Sequence, residues 1–280
     1  MASLEPLRRH LNAAPPWPDV TRPGWLWAYG LFVAVTLTAG IALLLSDVNV
    51  TLFYGLNSAG TVIPSGVWQW TTFLGDTNTA LVVVLLIALR RPQLLWVTLF
   101  AAIAGTLLTH GFKDLLGVPR PPAALDPETF RIIGKAYHNG SFPSGHTLTA
   151  FTLAGAVAPF LRRPSLRVAV FAAAALVGLS RIMVGVHWPA DVCAGAAGGV
   201  FSGWLGIVAA RHWPAGMQAR VHVWLAAFFT LAAVVLFNRD GHYPAALWLA
   251  DGLAVAGVVA AVAVYWWPMV RPSARDGTGP

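Results

Sequence analysis

The chain has 280 residues, 57% of them hydrophobic and only 10% charged, with a mean hydropathy of +0.65. Soluble domains carry roughly 25% charged residues, so this composition excludes an ordinary soluble fold and describes a polytopic membrane protein, an all-α helix bundle. The formal net charge of +7 does not point to nucleic acid, because the basic residues lie in short loops and form no basic helical face.

Residues 1–24 read as a polar, Pro-rich cytoplasmic segment, and no secretory leader is expected. A helix needs about 20 apolar residues to cross the hydrocarbon core. Runs of that kind predict eight spans, near 25–45, 67–89, 93–115, 145–161, 166–185, 189–210, 220–237 and 244–267. The fourth and seventh are short. Residues 25–210 form a six-span core, 211–268 add two C-terminal spans, and 269–280 form a cytoplasmic tail. The single cysteine, Cys193, falls inside an apolar span, so it reads as packing and leaves no disulfide or cysteine metal site.

The loops give the sidedness. Arg8, Arg9, Arg22, Arg90, Arg91, Arg162, Arg163, Arg167, Arg211, Arg220, Arg271 and Arg275 fall on one side, 12 of the 18 basic residues. The positive-inside rule makes that side cytoplasmic and places both termini there. Lys113, Arg120, Arg131, Lys135, Arg181 and Arg239 lie on the other side, against the bias. Trp25, Trp27, Trp68, Trp70, Trp213, Trp266 and Trp267 fall near span ends, as an interfacial belt would. Gly195, Gly199 and Gly203, four apart along the sixth span, let another helix approach closely.

Three stretches gather chemistry on the outward face. The first, KDLLGVPRP, joins Lys113 to Arg120, with Pro119, Pro121 and Pro122 stopping any helix there. The second, SFPSGHT, offers Ser144 as an N-cap, with Gly145 and His146 in the first turn, where free N–H groups and the helix dipole favour an anion. The third, SRIMVGVHWPAD, carries Arg181, His187 and Asp191. Pro189 suits the first position of a helix, so Asp191 lies in its first turn and reaches back to the imidazole. An aspartate on one ring nitrogen frees the other lone pair for attack. Taken singly, each stretch is equally an ordinary cap, turn or snorkelling cation. Together, three cations and a helix N-terminus suit a tetrahedral dianion, and two histidines suit an attacking group and a proton donor. No carboxylate pair or His/Cys cluster has metal-ligand spacing, so no metal or other cofactor is expected.

With those residues in place the chain resembles the type 2 phosphatidic acid phosphatase superfamily, the membrane-embedded lipid phosphatases. The three-part motif of that family is matched at every specified position, in order and at the right spacing. The resemblance implies that His187 is the nucleophile, forming a phosphohistidine, with Asp191 orienting it and His146 protonating the leaving oxygen. It implies that Lys113, Arg120, Arg181, the Ser144 hydroxyl and the Gly145 amide hold the phosphoryl oxygens, without metal. It covers the third to sixth spans and says nothing of the last two.

Other polar residues carry two readings each. Asp76 either caps a helix starting at Thr77 or biases a nearby arginine. Arg131, Lys135 and His138 are solvated charges or a second phosphate contact. His110 reads as a hydrogen-bonded interior residue and Asp251 as interfacial. The expected function is a membrane phosphatase acting on a lipid phosphate or diphosphate, such as a polyprenyl diphosphate, phosphatidylglycerophosphate or phosphatidate. Its site faces the outside or periplasm of the cytoplasmic membrane. A lipid phosphotransferase with the same site and a lipid-phosphate transporter are the alternatives. The expected partners are the bilayer and the lipid substrate; the residues fix no oligomeric state.

Overall fold

A computed structural model describes residues 4–238 and 242–271; Arg239 and Arg275 of the charge count lie outside them. The elements are helices α1 Glu5–Asn12, α2 Pro23–Leu44, α3 Val48–Ala59, α4 Ser65–Phe73, α5 Thr77–Ala88, α6 Gln93–Leu116 and α7 Pro121–Ala124. They continue with α8 Gly145–Val157, α9 Pro164–Met183, α10 Pro189–His212, α11 Ala219–Val235, α12 Leu247–Ala261 and α13 Trp267–Val270. No strand occurs among the described residues.

Six helical stretches are long and apolar enough to cross a membrane: Pro23–Leu44, Gln93–Ala124, Pro164–Met183, Pro189–His212, Ala219–Asn238 and Pro244–Val270. Helices α4 and α5, which meet at 64°, are long and apolar enough only when taken together, as a broken span or a re-entrant pair. The break has a local cause. Gly75 lies so close to α8 that a Cβ there would come 2.9 Å from His146 Cβ, and Asp76 caps α5 by accepting from the Asn78 and Thr79 amides at 2.8 and 3.1 Å.

The predicted span 145–161 corresponds to helix α8 and the 3-10 turn Ala158–Phe160, shorter than the other spans. Helix α8 has 13 residues, about 20 Å at 1.5 Å per residue, against a core of about 30 Å. It is apolar because other helices bury it: Leu148, Ala150, Phe151, Ala154 and Val157 are all in the core. A hydropathy window does not separate helix-facing from lipid-facing residues. The glycines of α10 explain the closest packing. A Cβ on Gly195, Gly199 or Gly203 would come 2.7, 2.5 or 2.7 Å from the carbonyl oxygens of Ser144, Leu148 and Thr152, successive turns of α8.

Three further differences follow from burial. The N-terminal segment is not simply a polar tail, because α1 buries Leu7 and Leu11 in one cluster with Leu225, Tyr265 and Met269. Trp68 is not in an interfacial belt; it is buried and donates to the Gly60 carbonyl at 2.9 Å. Trp27, Trp213 and Trp267 are exposed, as a belt requires. His110 is exposed rather than interior, its Nδ1 lying 3.0 Å from the Thr106 carbonyl of its own helix.

Helix α3 has no counterpart among the predicted spans, being short and polar at Asn49 and Asn57. It works as a clasp. The Asn57 amide donates to the carbonyls of Arg131, Ile182 and Met183 at 2.9, 3.1 and 3.3 Å and accepts from the Arg131 N–H at 2.9 Å. Asn49 Oδ1 accepts from the Ala190 N–H at 3.0 Å. Both ends of the turn between α9 and α10 are thereby pinned.

Candidate active site

The loop after α6 folds on its own return strand of chain. The Arg120 N–H donates to the His138 carbonyl and the Ser141 N–H to the Val118 carbonyl, both at 3.0 Å. The backbone is extended up to Arg120, but Pro121 and Pro122 do not stop a helix as expected: they open the single turn α7, since proline is tolerated at the first helical positions. The pairing presents the Arg120 guanidinium to four acceptors: the carbonyls of Asn139, Gly140 and Val186 at 2.9, 3.2 and 3.3 Å, and Nε2 of His187 at 3.1 Å. The face of Tyr137 stacks on it, ring centroid 5.2 Å from Cζ.

The third stretch turns at Gly185, whose φ of 79° is left-handed and favours glycine. Helix α10 then starts at Pro189, as its sequence predicts. Asp191 is fully buried, and its Oδ2 collects three donors: the Trp188 N–H at 2.8 Å, the Ser141 hydroxyl at 2.5 Å and Nδ1 of His187 at 3.1 Å. A carboxylate at Nδ1 fixes the tautomer with hydrogen there and leaves the Nε2 lone pair to accept. Burial first, and then the charges of Arg120, Arg181 and Lys113, hold the His187 imidazole well below its ordinary range. The neutral ring is therefore the favoured form at neutral pH.

Arg181, in the last turn of α9, is 2% exposed. Its Nη1 donates to the Thr72 hydroxyl, on α4, and to the Tyr243 hydroxyl at 3.1 Å. The hydroxyls pair Nη1 without cancelling the charge, while the buried Nε has no hydrogen-bond partner.

A cavity of about 490 Å³ is lined by Lys113, Arg120, Gly145, His146, Arg181 and His187. All three stretches thus meet at one end of the bundle. Two expected site residues stand behind this wall. Asp191 acts on the cavity through His187. Ser144 is fully buried and does not line it; its hydroxyl accepts from Thr147 Oγ1 at 2.9 Å and makes no cap to α8. Asp76 caps α5 and also lines the cavity. Arg131, Lys135 and His138 do not. Arg131 instead donates to the Gly60 carbonyl at 3.2 Å.

Sequence reasoning missed several residues here. Tyr137, His242 and Tyr243 line the cavity, Thr72 holds Arg181, and Ser141 holds Asp191. Only Ser141, inside the SFPSGHT stretch, lay close to a visible motif. Among the described residues no three His, Cys, Asp or Glu side chains come together as a metal site. A second, more apolar cavity of about 220 Å³ lies between α5, α6 and α8, lined by Ala80, Leu81, Gly105, Thr106 and Leu148, and it shares Gly145 and His146 with the first.

The PAP2 superfamily model matches residues 94–214. Lipid A 1-phosphatase of Rhizobium johnstonii is 36% identical over 113 residues, 40% of this chain and 44% of that protein. Undecaprenyl-diphosphatase of Sulfolobus acidocaldarius is 34% identical over 116 residues, 41% of this chain and 54% of that protein. The crystal structure of Aquifex aeolicus LpxE is similar with a TM-score of 0.52 at 29% identity, covering 58% of this chain and 96% of that one. The chain spans about half the length of the curated relatives it matches. The family match contains all three stretches and ends before α11.

Proposed function

We propose that this chain, whose residues 94–214 match the PAP2 superfamily model, is an integral membrane lipid phosphatase working through a phosphohistidine on His187. One observation carries the reading. The imidazole is held at Nδ1 by a buried carboxylate, and its Nε2 faces a cavity lined by Lys113, Arg120, Arg181 and His146.

In the first step Nε2 attacks phosphorus and the bond to the lipid oxygen breaks, with His146 giving that oxygen its proton. In the second, water attacks the phosphohistidine while His146 takes the proton back, and inorganic phosphate leaves. Asp191 stabilises the imidazolium that forms. Lys113, Arg120, Arg181 and the Gly145 amide hold the equatorial oxygens. Positioning and fixed positive charge are most of what phosphoryl transfer asks of a protein, so no metal is needed. The Ser144 hydroxyl, turned to Thr147, has no part in this scheme.

The substrate is a lipid phosphate or diphosphate. The resemblance to proteins named lipid A 1-phosphatase and undecaprenyl-diphosphatase favours a glycolipid or polyprenyl carrier over a phosphoglyceride. Its tails lie in the bilayer and enter sideways through the apolar cavity between α5 and α6. The charge asymmetry of the loops favours a site facing the outside or periplasm, with both termini cytoplasmic.

The purified chain in detergent with EDTA should release phosphate from at least one of lipid A, undecaprenyl diphosphate, phosphatidylglycerophosphate and phosphatidate. His187→Ala should stop release while the thermal midpoint is kept. Equal turnover by that variant removes the nucleophile assignment. Lipid transport in vesicles without hydrolysis by the unmodified chain removes the phosphatase, and a strict need for an acceptor lipid makes it a phosphotransferase.

A further inference from the structure

We propose that Tyr243, from the connection between α11 and α12, is a positioning residue for Arg181, so that the C-terminal hairpin is part of the phosphate site. The inference deepens the reading above and rests on it in one respect, that Arg181 holds the phosphoryl group.

The family match ends at residue 214, yet the hairpin beyond it reaches the site. Nη1 of Arg181 donates to two hydroxyls from separate elements, Thr72 on α4 and Tyr243 at 3.1 Å. Neither hydroxyl is placed by chance. The Ala245 N–H donates to Gln69 Oε1 at 3.0 Å, and the Trp70 indole donates to the Ala245 carbonyl at 2.6 Å. Both backbone groups of one hairpin residue are therefore held by α4, the helix that carries Thr72. Trp70 and Trp248 also meet edge to face at 5.7 Å.

The opposite side of Tyr243 is fixed as tightly. Gly134 has a φ of 81°, and a Cβ there would come 2.8 Å from both the Tyr243 ring and the His242 carbonyl. The ring is thus clamped between the loop that follows α6 and the helix that precedes Gly75. An arginine side chain carries large rotamer entropy, which a site must remove before the guanidinium can act as a preorganised donor. Two hydroxyl acceptors do this and leave the full positive charge for a dianion.

The test is a double-mutant cycle read by calorimetry of inorganic phosphate binding to the full chain in detergent, which does not depend on turnover. Tyr243→Phe keeps the ring and its packing. It should weaken phosphate binding about tenfold, as expected for a hydrogen bond to a charged group, with the melting temperature unchanged. In an Arg181→Lys background the same change should have less than about a twofold effect, because coupled residues are non-additive. Tyr243→Met gives the same reading if the phenylalanine form does not fold. An undiminished affinity in the Arg181 background, or an equal loss in both backgrounds, overturns the proposal. Phosphate binding with the predicted coupling but no hydrolysis of any lipid phosphate overturns only the phosphatase reading. No phosphate binding by the unmodified chain overturns both.

Discussion

Nη1 of Arg120 stands 3.1 Å from Nε2 of His187, while Nδ1 of the same ring stands 3.1 Å from Asp191 Oδ2. The imidazole is gripped along its long axis, by an anion on one nitrogen and a cation on the other. On the proposed reading, a phosphoryl oxygen drawn to that guanidinium would arrive beside the lone pair assigned to attack it, so that substrate binding and alignment would be a single event.

Asp191→Asn tests the anionic end of this grip. The amide is nearly the same size, but its NH₂ can face Nδ1 and favour the wrong tautomer. Turnover is expected to fall by about 10²–10⁴, with phosphate affinity changed far less. Steady-state kinetics and phosphate inhibition on one preparation separate the two quantities.

The depressed His187 pKa sets two pH profiles. With the folded value below the ordinary 6.5, the imidazole stays unprotonated under mildly acidic conditions, and its acid limb in kcat/KM lies below pH 6.5. For stability, the unfolded chain binds this proton near pH 6.5 and the folded chain does not. The contribution is complete above pH 6.5 and declines as pH falls below it, by up to about 1.4 kcal/mol per pH unit. Melting curves from pH 7.5 to 5 should show the decline, and His187→Ala should lessen it.

Gly199→Ala places a Cβ 2.5 Å from the Leu148 carbonyl. Backbone cannot step aside cheaply, so a loss of about 1–3 kcal/mol is expected. Because α8 carries His146 and α10 follows His187, activity should fall even where the variant stays folded. A denaturation series beside turnover measurements checks both.

Thr106→Trp fills the apolar cavity beside Gly145 and His146. The expected result is a KM for a long-chain lipid phosphate raised about tenfold or more, with little change for a short-chain, water-soluble analogue. Equal effects on both substrates would place the tail elsewhere.

Asp76→Ala removes the Oδ1 that accepts both N-cap hydrogen bonds of α5 and should cost about 1 kcal/mol, whereas Asp76→Asn should cost little. If the asparagine variant keeps its melting temperature and loses turnover, the carboxylate serves the cavity it lines as well as the helix.

The candidate site of this chain was legible because residues proposed to hold phosphate are charged, and charge stands out in an apolar sequence. Lys113, Arg120, His146, Arg181 and His187 could be gathered from spacing, and each lines one cavity. Residues that act through hydroxyls were invisible for the converse reason. Thr72 and Tyr243 resemble any threonine in a span and any tyrosine near an interface until Arg181 is seen between them. Burial was the other blind spot. The fourth apolar run reads as a lipid-crossing helix, yet α8 is enclosed by protein, and Asn57 reads as a loop residue until its four hydrogen bonds are traced.

The shortness of α8 has a consequence for which molecules can be processed. Even with its last 3-10 turn, Ala158–Phe160, it rises only about 26 Å, less than the thickness of the bilayer's oily interior. On the phosphatase reading, a helix that does not reach both faces of the bilayer leaves the chamber at its end recessed toward hydrocarbon. A lipid would deliver its phosphate there with its tails still in hydrocarbon, whereas a dissolved phosphomonoester would have to descend from water with nothing to offset its lost hydration. A recessed chamber would then favour membrane-borne phosphates over free metabolites.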